Sequence, residues 1–184
     1  MKLPSLLFLV CLLIITLPVY ADHEFNESLY NSQDKHFSYI WLANSGEGTI
    51  SKIDIDTGQE LAKYYTGKEV NTKPCYIAVD IEGNCWVVNY NSGTVLKILV
   101  SDYIDKNNNG IKDTSFDFNE DGQITDDEVL PWGEDEVVIE ITDFIENKPV
   151  TIAVDKENRI WIGLANPAKL WAIKQLILLT GMVI

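Results

Sequence analysis

The chain repeats itself, and the period of that repeat restricts the possible folds more than any other feature. The segment KPCYIAVDIEGNCWVV, which begins at Lys73, matches KPVTIAVDKENRIWIG, which begins at Lys148, at a single offset of 75 residues. A third and looser copy, KHFSYIWLANSGEGTISKIDIDTGQ, begins at Lys35. The aligned tryptophans are 45 and 75 residues apart (Trp41, Trp86 and Trp161). Removing about 30 residues makes the second spacing 45 as well, so we predict a repeat of period about 45 with one insertion.

Each copy is predicted to form β-strands. The segments CYIAVD, CWVVNY and TVLKILV are rich in β-branched and aromatic residues, and the turn sequences DIEGN and NSG separate them. A period of about 45 residues matches one four-stranded propeller blade. We therefore predict an all-β fold, a partial β-propeller of about three four-stranded blades over residues 35–184. Residues 102–131 would interrupt the second blade between its third strand and a fourth, EVVIEI, which begins at Glu136.

The repeated pattern P-x-x-I-A-V-D-x-E-[GN]-x-x-W, together with WLANSGEGTISKIDIDTG in the first copy, resembles the bacterial propellers of the streptogramin-lyase, YVTN and NHL type. The resemblance covers the chain from Lys35 to its end, without the insertion. It implies a propeller fold but no particular activity, because such blades occur in enzymes, sensors and scaffolds. Propellers close with about four to eight blades. We therefore expect the chain to be a piece of a longer protein, or else to associate through an open blade edge.

The first 21 residues are predicted to be a secretory signal peptide. Lys2 is followed by an apolar run from Leu3 to Val19, and Val19 and Ala21 fit a cleavage site after Ala21. An uncleaved membrane anchor is the alternative, because the apolar run has about the length of a membrane span. Cleavage would leave a linker at 22–34 and a secreted, periplasmic or cell-surface protein without a membrane span.

The charge of the mature chain restricts its partners. It has 13 basic and 28 acidic residues, since Lys2 is the only charged residue of the signal segment. This strongly acidic balance disfavours nucleic acid and anionic membrane surfaces as partners. Cations and neutral ligands, such as a protein or a carbohydrate, remain as expected partners.

Other residues of the repeats are predicted to be structural. The repeated tryptophans would pack between blades rather than stack on a ligand. Asp80 and Asp155 would cap turns rather than act as acids. Cys75 and Cys85 would lie on adjacent strands but four residues out of register. At about 13 Å, they are too far apart for a disulfide.

The insertion holds eight carboxylates and four asparagines between Asp105 and Glu128. Residues 117–128 match the calcium-loop pattern D-x-[DN]-x-[DN]-G-x5-E at each key position. A calcium ion needs roughly six to eight oxygen ligands, which alternate side chains of a tight loop can supply. The predicted ligands of this second loop are Asp117, Asn119, Asp121, the Gln123 carbonyl, Thr125 directly or through water, and a bidentate Glu128.

Residues 105–113 form a first, incomplete loop. Its predicted ligands are Asp105, Asn107, Asn109, the Ile111 carbonyl and Asp113. Phe116 occupies position 12, where a bidentate glutamate is expected. This half resembles a thrombospondin type 3 or dockerin-type calcium repeat, a resemblance that implies Asp113 and a shared Asp117 as closing ligands. Because asparagine replaces aspartate twice, we expect the first loop to bind Ca²⁺ more weakly than the second.

A solvated acidic linker is the alternative to a calcium site. Two tandem matches with their glycines in register favour calcium. Pro131 and Gly133 would end an exit helix within two turns, whereas a regulatory EF-hand or a dockerin-like partner-binding module needs regular helices. We therefore predict a static calcium clip at 102–131 that decorates a single hairpin.

These features favour an exported calcium-binding propeller that acts as a binding or scaffolding module. The alternative is a lyase or hydrolase of the propeller fold whose catalytic blade lies beyond this chain. Resemblance to the streptogramin lyases would place a histidine among the blades, but His23 and His36 precede the first clear blade strand. The chain has no nucleophile elbow, Cys/His pair or zinc-ligand spacing. We therefore assign no catalytic residue, and the sequence favours a non-enzymatic role.

Overall fold

The computed structural model describes residues 37–141, 144–165 and 168–173, whose regular elements are β-strands and short 3-10 helices. The strands form three antiparallel sheets, in each of which neighbours in sequence are also neighbours in the sheet. The predicted all-β fold class is confirmed. The predicted signal peptide at 1–21, the linker at 22–34 and both histidines lie outside the described residues.

Three successive meanders make up the described part of the chain. The first sheet contains β1 (Tyr39–Asn44), β2 (Thr49–Asp54) and β3 (Glu60–Tyr65). The second contains β4 (Pro74–Val79), β5 (Cys85–Asn89), β6 (Val95–Ile98) and β7 (Val138–Ile141). The third contains β8 (Pro149–Val154), β9 (Ile160–Ala165) and β10 (Ala168–Ile173). Described 3-10 helices lie at Val70–Thr72, Asp126–Glu128 and Ile145–Asn147, and none of them is long or apolar enough to span a membrane.

The repeated tryptophans identify equivalent strands in the three sheets. Trp41 lies on β1, Trp86 on β5 and Trp161 on β9. It follows that β3 of the first sheet is equivalent to β7 of the second. The short turn between β2 and β3 therefore occupies the position that the insertion occupies between β6 and β7. This placement of the insertion agrees with the sequence-based prediction.

The strand β5 is buried on both faces because it lies between two cores. Cys85 and Val87 pack into a cluster with residues of the first sheet, including Trp41 and Ile50. The alternate side chains Trp86 and Val88 pack into a second cluster with residues of the third sheet. Since successive side chains of a strand point to opposite faces, one strand can join both cores. Face-to-face packing of successive meanders is the arrangement of propeller blades.

Two turn aspartates close the first hairpins of the second and third sheets. One Asp80 carboxylate oxygen accepts hydrogen bonds from the N–H groups of Glu82 and Asn84, at 3.1 and 2.9 Å. Asp155 accepts from the N–H groups of Glu157 and Arg159, at 3.0 and 2.9 Å. The predicted capping role of both aspartates is confirmed.

The hairpin register separates the two cysteines. Val79 pairs with Cys85, so Cys75 lies four residues further along β4. Both thiols are free, and the prediction of no disulfide between them is confirmed.

Candidate calcium-binding insertion

The second loop of the insertion, residues 117–128, is organised around the carboxylate of its first residue. Asp117 accepts hydrogen bonds from the N–H groups of Asp121 and Gly122, at 3.2 and 2.8 Å. The Asn119 side-chain oxygen accepts from the Asp121 N–H at 2.8 Å. The Asp121 carboxylate accepts from the Gln123 N–H at 2.9 Å. These contacts fold the first half of the loop around the oxygen atoms predicted to bind the metal.

The first loop, from residue 105, has the same internal hydrogen bonds. Asp105 accepts from the N–H groups of Asn109 and Gly110, at 3.1 and 2.9 Å. The Asn107 oxygen accepts from the Asn109 N–H at 3.0 Å, and the Asn109 oxygen accepts from the Ile111 N–H at 2.7 Å. The backbone therefore follows equivalent paths in the two loops, even though their side chains differ in charge.

The backbone dihedral angles show the same equivalence. Position 4 has a positive φ in both loops, 59° at Asn108 and 60° at Glu120. Position 6 is a glycine at φ 73° and 83°, Gly110 and Gly122. A side chain at either glycine would strain this left-handed conformation. The glycines that the sequence places in register are thus required by the turn itself.

The second loop ends at Glu128, which reaches back across the loop. Its side chain is buried, with one carboxylate oxygen 3.4 Å from the Asn119 nitrogen and the other 2.9 Å from the Thr125 nitrogen. Glu128 and Thr125 form a capping box around the single 3-10 turn at 126–128. No longer exit helix follows in the described residues, because the chain turns at Pro131 towards β7.

The donors of the second loop suit a calcium ion. Its acidic side chains, asparagine oxygen, threonine hydroxyl and backbone carbonyl are hard oxygen donors, which Ca²⁺ prefers. Across the described residues, no three His, Cys, Asp or Glu side chains converge in a metal-binding group. The carboxylates of Asp117, Asp121 and Glu128 accept hydrogen bonds from the loop backbone instead.

Two buried acidic residues in the turn before β7 anchor the insertion, a role that no sequence pattern indicated. Asp135 accepts hydrogen bonds from the Ser115 N–H and hydroxyl, at 2.9 and 2.7 Å. Glu136 is fully buried and accepts from the N–H groups of Lys106 and Asp113, at 2.8 and 3.0 Å. The partners are 20 to 30 residues apart in sequence, so no local motif would have indicated them.

Lys106 completes this anchor from the other side. Its ammonium donates to the backbone carbonyls of Gly133, Asp135 and Val138, at 3.1, 2.6 and 3.1 Å. Burial lowers the pKa of Lys106, while the negative charges of Asp135 and Glu136 oppose that shift. Lys106 therefore holds the end of the insertion through hydrogen bonds to backbone carbonyl oxygens and through electrostatic attraction to the two buried acidic residues.

The second loop also contacts the first sheet. The Glu60 N–H donates to the Gly122 carbonyl at 3.2 Å, and the Glu60 carboxylate accepts from the Ile124 N–H at 3.1 Å. The Lys63 ammonium donates to the Ile124 carbonyl at 3.1 Å and pairs with Glu60 at 3.3 Å. The expectation that the insertion decorates only one hairpin is wrong, because β3 of the neighbouring sheet holds it as well.

Among solved structures, the chain is similar to a streptogramin B lyase, with 15% sequence identity and a TM-score of 0.45 over 78% of this chain and 39% of that protein. It is also similar to virginiamycin B lyase from Staphylococcus aureus, with 14% identity and a TM-score of 0.43 over 74% of this chain and 37% of the lyase. The chain thus spans less than two-fifths of the length of these proteins. No protein-family model matches the sequence, and no curated protein matches it.

Proposed function

We propose that this chain is an exported calcium-binding protein of the propeller type, in which the metal is structural and the protein acts as a binding or scaffolding module. The observation that carries the proposal is the shared geometry of the two tandem loops. In each loop the first aspartate accepts hydrogen bonds from positions 5 and 6, and a glycine with positive φ stands at position 6. Calcium loops place their oxygen ligands with this spacing.

The same contacts assign roles to this chain's residues. Calcium, when bound, would supply positive charge that offsets repulsion between the acidic side chains of the insertion. In the second loop Asp117, Asn119, Asp121, Thr125 and Glu128 would hold it together with the Gln123 carbonyl. In the first loop Asp105, Asn107, Asn109 and Asp113 would do so with the Ile111 carbonyl. Asp117 lies two residues after Ser115 and directly after position 12 of the first loop. It is therefore also the candidate for a ligand that both loops share.

A structural role fits the surroundings of the second loop better than a regulatory one. A sensor EF-hand responds to calcium by reorienting two helices. Here the exit element is a single 3-10 turn, and Glu60 and Lys63 tie the loop to a strand. Ordering this loop would join the first sheet to the second rather than expose a groove.

A ligand-binding role is supported by aromatic side chains at the junction of the loops. Phe116 and Phe118 are 56% and 55% exposed. Exposed aromatic groups are favoured contacts for protein partners and for the faces of sugar rings. We propose this junction as the surface where a protein or carbohydrate ligand binds.

Calorimetric titration of the metal-free mature protein with Ca²⁺ tests the metal. We expect heat of binding and a higher melting temperature, since a ligand at one hundred times its Kd stabilises by about 2.7 kcal/mol. Asp117→Ala should weaken binding most, Glu128→Gln should weaken the second loop alone, and Asn107→Ala should have the smallest effect. Asp56→Ala, which removes an exposed acid outside the insertion, is the control and should bind normally. Absence of heat and of any melting shift at millimolar calcium would refute the proposal.

The alternative function is a lyase or hydrolase whose catalytic blade lies outside this chain. It rests on the sequence resemblance of the repeats to the streptogramin-lyase type. Assay of the longest natural reading frame against a streptogramin B substrate tests it. Turnover that a histidine substitution beyond Ile184 abolishes would support the enzyme over the module.

A further inference from the structure

A groove lies between the first sheet and the second loop of the insertion. Its volume is about 400 Å³, within the range of about 300–1,000 Å³ that is usual for ligand clefts. The start of β3 and the junction of the two loops supply its lining residues, which are Gln59, Glu60, Leu61, Phe116, Asp117 and Glu120. We propose that this groove binds an arginine side chain of a protein partner. This inference rests on the proposed role as a binding module and specifies the partner of its exposed aromatic surface.

Hydrogen bonds fix the two walls of the groove relative to each other. The Glu60 N–H donates to the Gly122 carbonyl at 3.2 Å, and the Ile124 N–H donates to the Glu60 carboxylate at 3.1 Å. A Cβ added at Gly122 would lie 3.2 Å from the Gln59 side chain, so the loop lies directly against the residue that precedes β3. A groove that is held in this way before the ligand arrives lowers the entropic cost of binding.

The charge of the lining favours a cationic ligand. Of the described residues that line the groove, three are acidic and none is basic. Glu60 pairs with the Lys63 ammonium at 3.3 Å, which offsets one of these charges. In the described part of the chain, no lysine, arginine or histidine nitrogen lies within 4.0 Å of the Asp117 and Glu120 carboxylates. Calcium would offset the charge of Asp117, so we expect Glu120, which is not a predicted metal ligand, to pair with the cation.

Phe116 supplies the aromatic face that favours arginine over a simple cation. Its side chain is 56% exposed, and that of Leu61 is 39% exposed. A guanidinium group stacks on an aromatic ring while its N–H groups donate to a carboxylate, and the apolar stem of arginine packs against aliphatic side chains. Phe118, which is 55% exposed beside the groove, would extend the contact to the rest of a protein partner.

Phe116 also lines a larger cavity, of about 620 Å³, whose charges favour neither sign. That cavity has two lysines, Lys106 and Lys112, and two acidic residues, Asp113 and Glu134. The Lys106 ammonium already donates to three backbone carbonyls, and the Asp113 carboxylate already accepts from two asparagine amides. The smaller groove is therefore the one that selects a ligand by charge.

The test is an NMR titration of the whole mature protein, labelled with ¹⁵N, with the peptide acetyl-Gly-Arg-Gly-amide. The titration is run at millimolar calcium and again in chelator. A second peptide carries citrulline, which has nearly the shape of arginine but no charge. We expect the arginine peptide to shift the amide signals of Leu61, Phe116 and Glu120, and the citrulline peptide to bind at least about threefold more weakly.

Three variants place the binding in the groove. Glu120→Gln and Phe116→Ala change exposed side chains, and each should weaken binding of the arginine peptide by about threefold or more. Glu47→Gln removes an exposed acid in the turn between β1 and β2. It is the matched control and should bind the arginine peptide like the unmodified protein.

Four results would overturn the inference. The first is no binding of the arginine peptide with calcium or in chelator. The second is equal affinity for the arginine and citrulline peptides. The third is an affinity that Glu120→Gln and Phe116→Ala leave unchanged, or that Glu47→Gln lowers as much as Glu120→Gln does, because attraction to the whole acidic protein would explain either. The fourth is that neutral cellohexaose shifts the same three signals and binds more tightly than the arginine peptide, which would assign the groove to a carbohydrate.

Calcium calorimetry on the same preparation separates this inference from the proposed metal site. Calcium binding without binding of the arginine peptide refutes the arginine groove and leaves the metal proposal intact. Arginine-selective binding by a protein that takes up no calcium refutes the metal proposal and leaves the groove.

Discussion

At the scale of single residues, the first of the repeated tryptophans donates its indole N–H to a different kind of acceptor from the other two. The Trp86 and Trp161 indole N–H groups donate to the turn aspartates Asp80 and Asp155, six residues earlier, at 3.0 and 2.7 Å. The residue six positions before Trp41 is Lys35. The Trp41 indole N–H donates instead to the Gly83 carbonyl of the neighbouring sheet, at 3.2 Å.

The charge of Asp155 should stabilise the folded protein, and this contribution to the free energy of unfolding should be lost at acid pH. Desolvation raises its pKa, but hydrogen bonds from Trp161 and Arg159 outweigh that effect and hold the pKa well below its usual range. A depressed pKa contributes stability that is present above the unfolded value of about 3.9 and is lost as pH falls through the folded value. We expect Asp155→Asn to unfold at lower urea concentration than the metal-free parent at pH 6, with the gap shrinking between pH 4 and pH 2. A difference in unfolding urea concentration that stays constant across that pH range would contradict the prediction.

The two thiols should differ in reactivity. Burial raises the pKa of both, and the nearby charge of Asp80 raises that of Cys85 further. Cys85 is fully buried, whereas Cys75 is partly exposed. Because the thiolate is the reactive form, Cys75 should react with a thiol reagent much faster than Cys85 in the native protein. Finding no free thiol in the unfolded, unreduced monomer would show that the two form a disulfide after all.

At the scale of elements, the insertion differs from the strands around it in how it is held. The strands are fixed by ladder hydrogen bonds and by two apolar clusters. The insertion is fixed by carboxylates that accept backbone N–H groups, above all Asp105, Asp117, Glu128 and Glu136. Because most of these carboxylates are also the proposed calcium ligands, we expect removal of calcium to loosen the loops and to leave the strand content largely unchanged.

Fluorescence quenching tests where the insertion joins the sheet. Trp86 on β5 is 2% exposed, whereas Trp132, at the exit of the insertion, is only partly buried. Acrylamide must reach an indole ring to quench its fluorescence. It should therefore quench the more exposed Trp132 more strongly than Trp86. We expect Trp132→Phe to lower the overall quenching constant and Trp86→Phe to raise it. The opposite order would contradict the placement of the insertion exit at the surface.

At the scale of the whole described chain, the insertion belongs to the second sheet but is held by the first. Glu60 and Lys63 of β3 contact Gly122 and Ile124 of the second loop, and Ile124 is 4% exposed. Calcium that orders this loop would therefore also protect β3. Through these contacts the proposed metal site would link two successive sheets.

Lys63→Ala tests that link. The variant loses the bond to the Ile124 carbonyl, whereas the predicted calcium ligands are untouched. We expect calcium affinity within about threefold of the unmodified protein, but a smaller calcium-dependent slowing of amide exchange in β3. Lys68→Ala, at an exposed position, is the control. Equal protection of β3 in both variants would show that the loop contacts do not couple the two sheets.

Local sequence determined a large part of this protein. The repeat of about 45 residues indicated the meanders, and the position of Cys85 opposite Val79 followed from the length of one turn. The two loops could be recognised because their hydrogen bonds join residues two to five positions apart. Such contacts depend on residue type and spacing alone, so the pattern of Asp, Asn and Gly is sufficient to indicate them.

Only the tertiary structure decided which distant residues complete the insertion. Glu136 meets Asp113 across 23 residues, and Glu60 meets Ile124 across 64. Glu60 is the first residue of β3 and Glu136 lies two residues before β7, and no spacing rule marks either position. Their roles arise because folding brings the turn before β7 against the first loop and β3 against the second. An anchor supplied by a distant element leaves no local pattern in the sequence, since its distance along the chain is set by the fold.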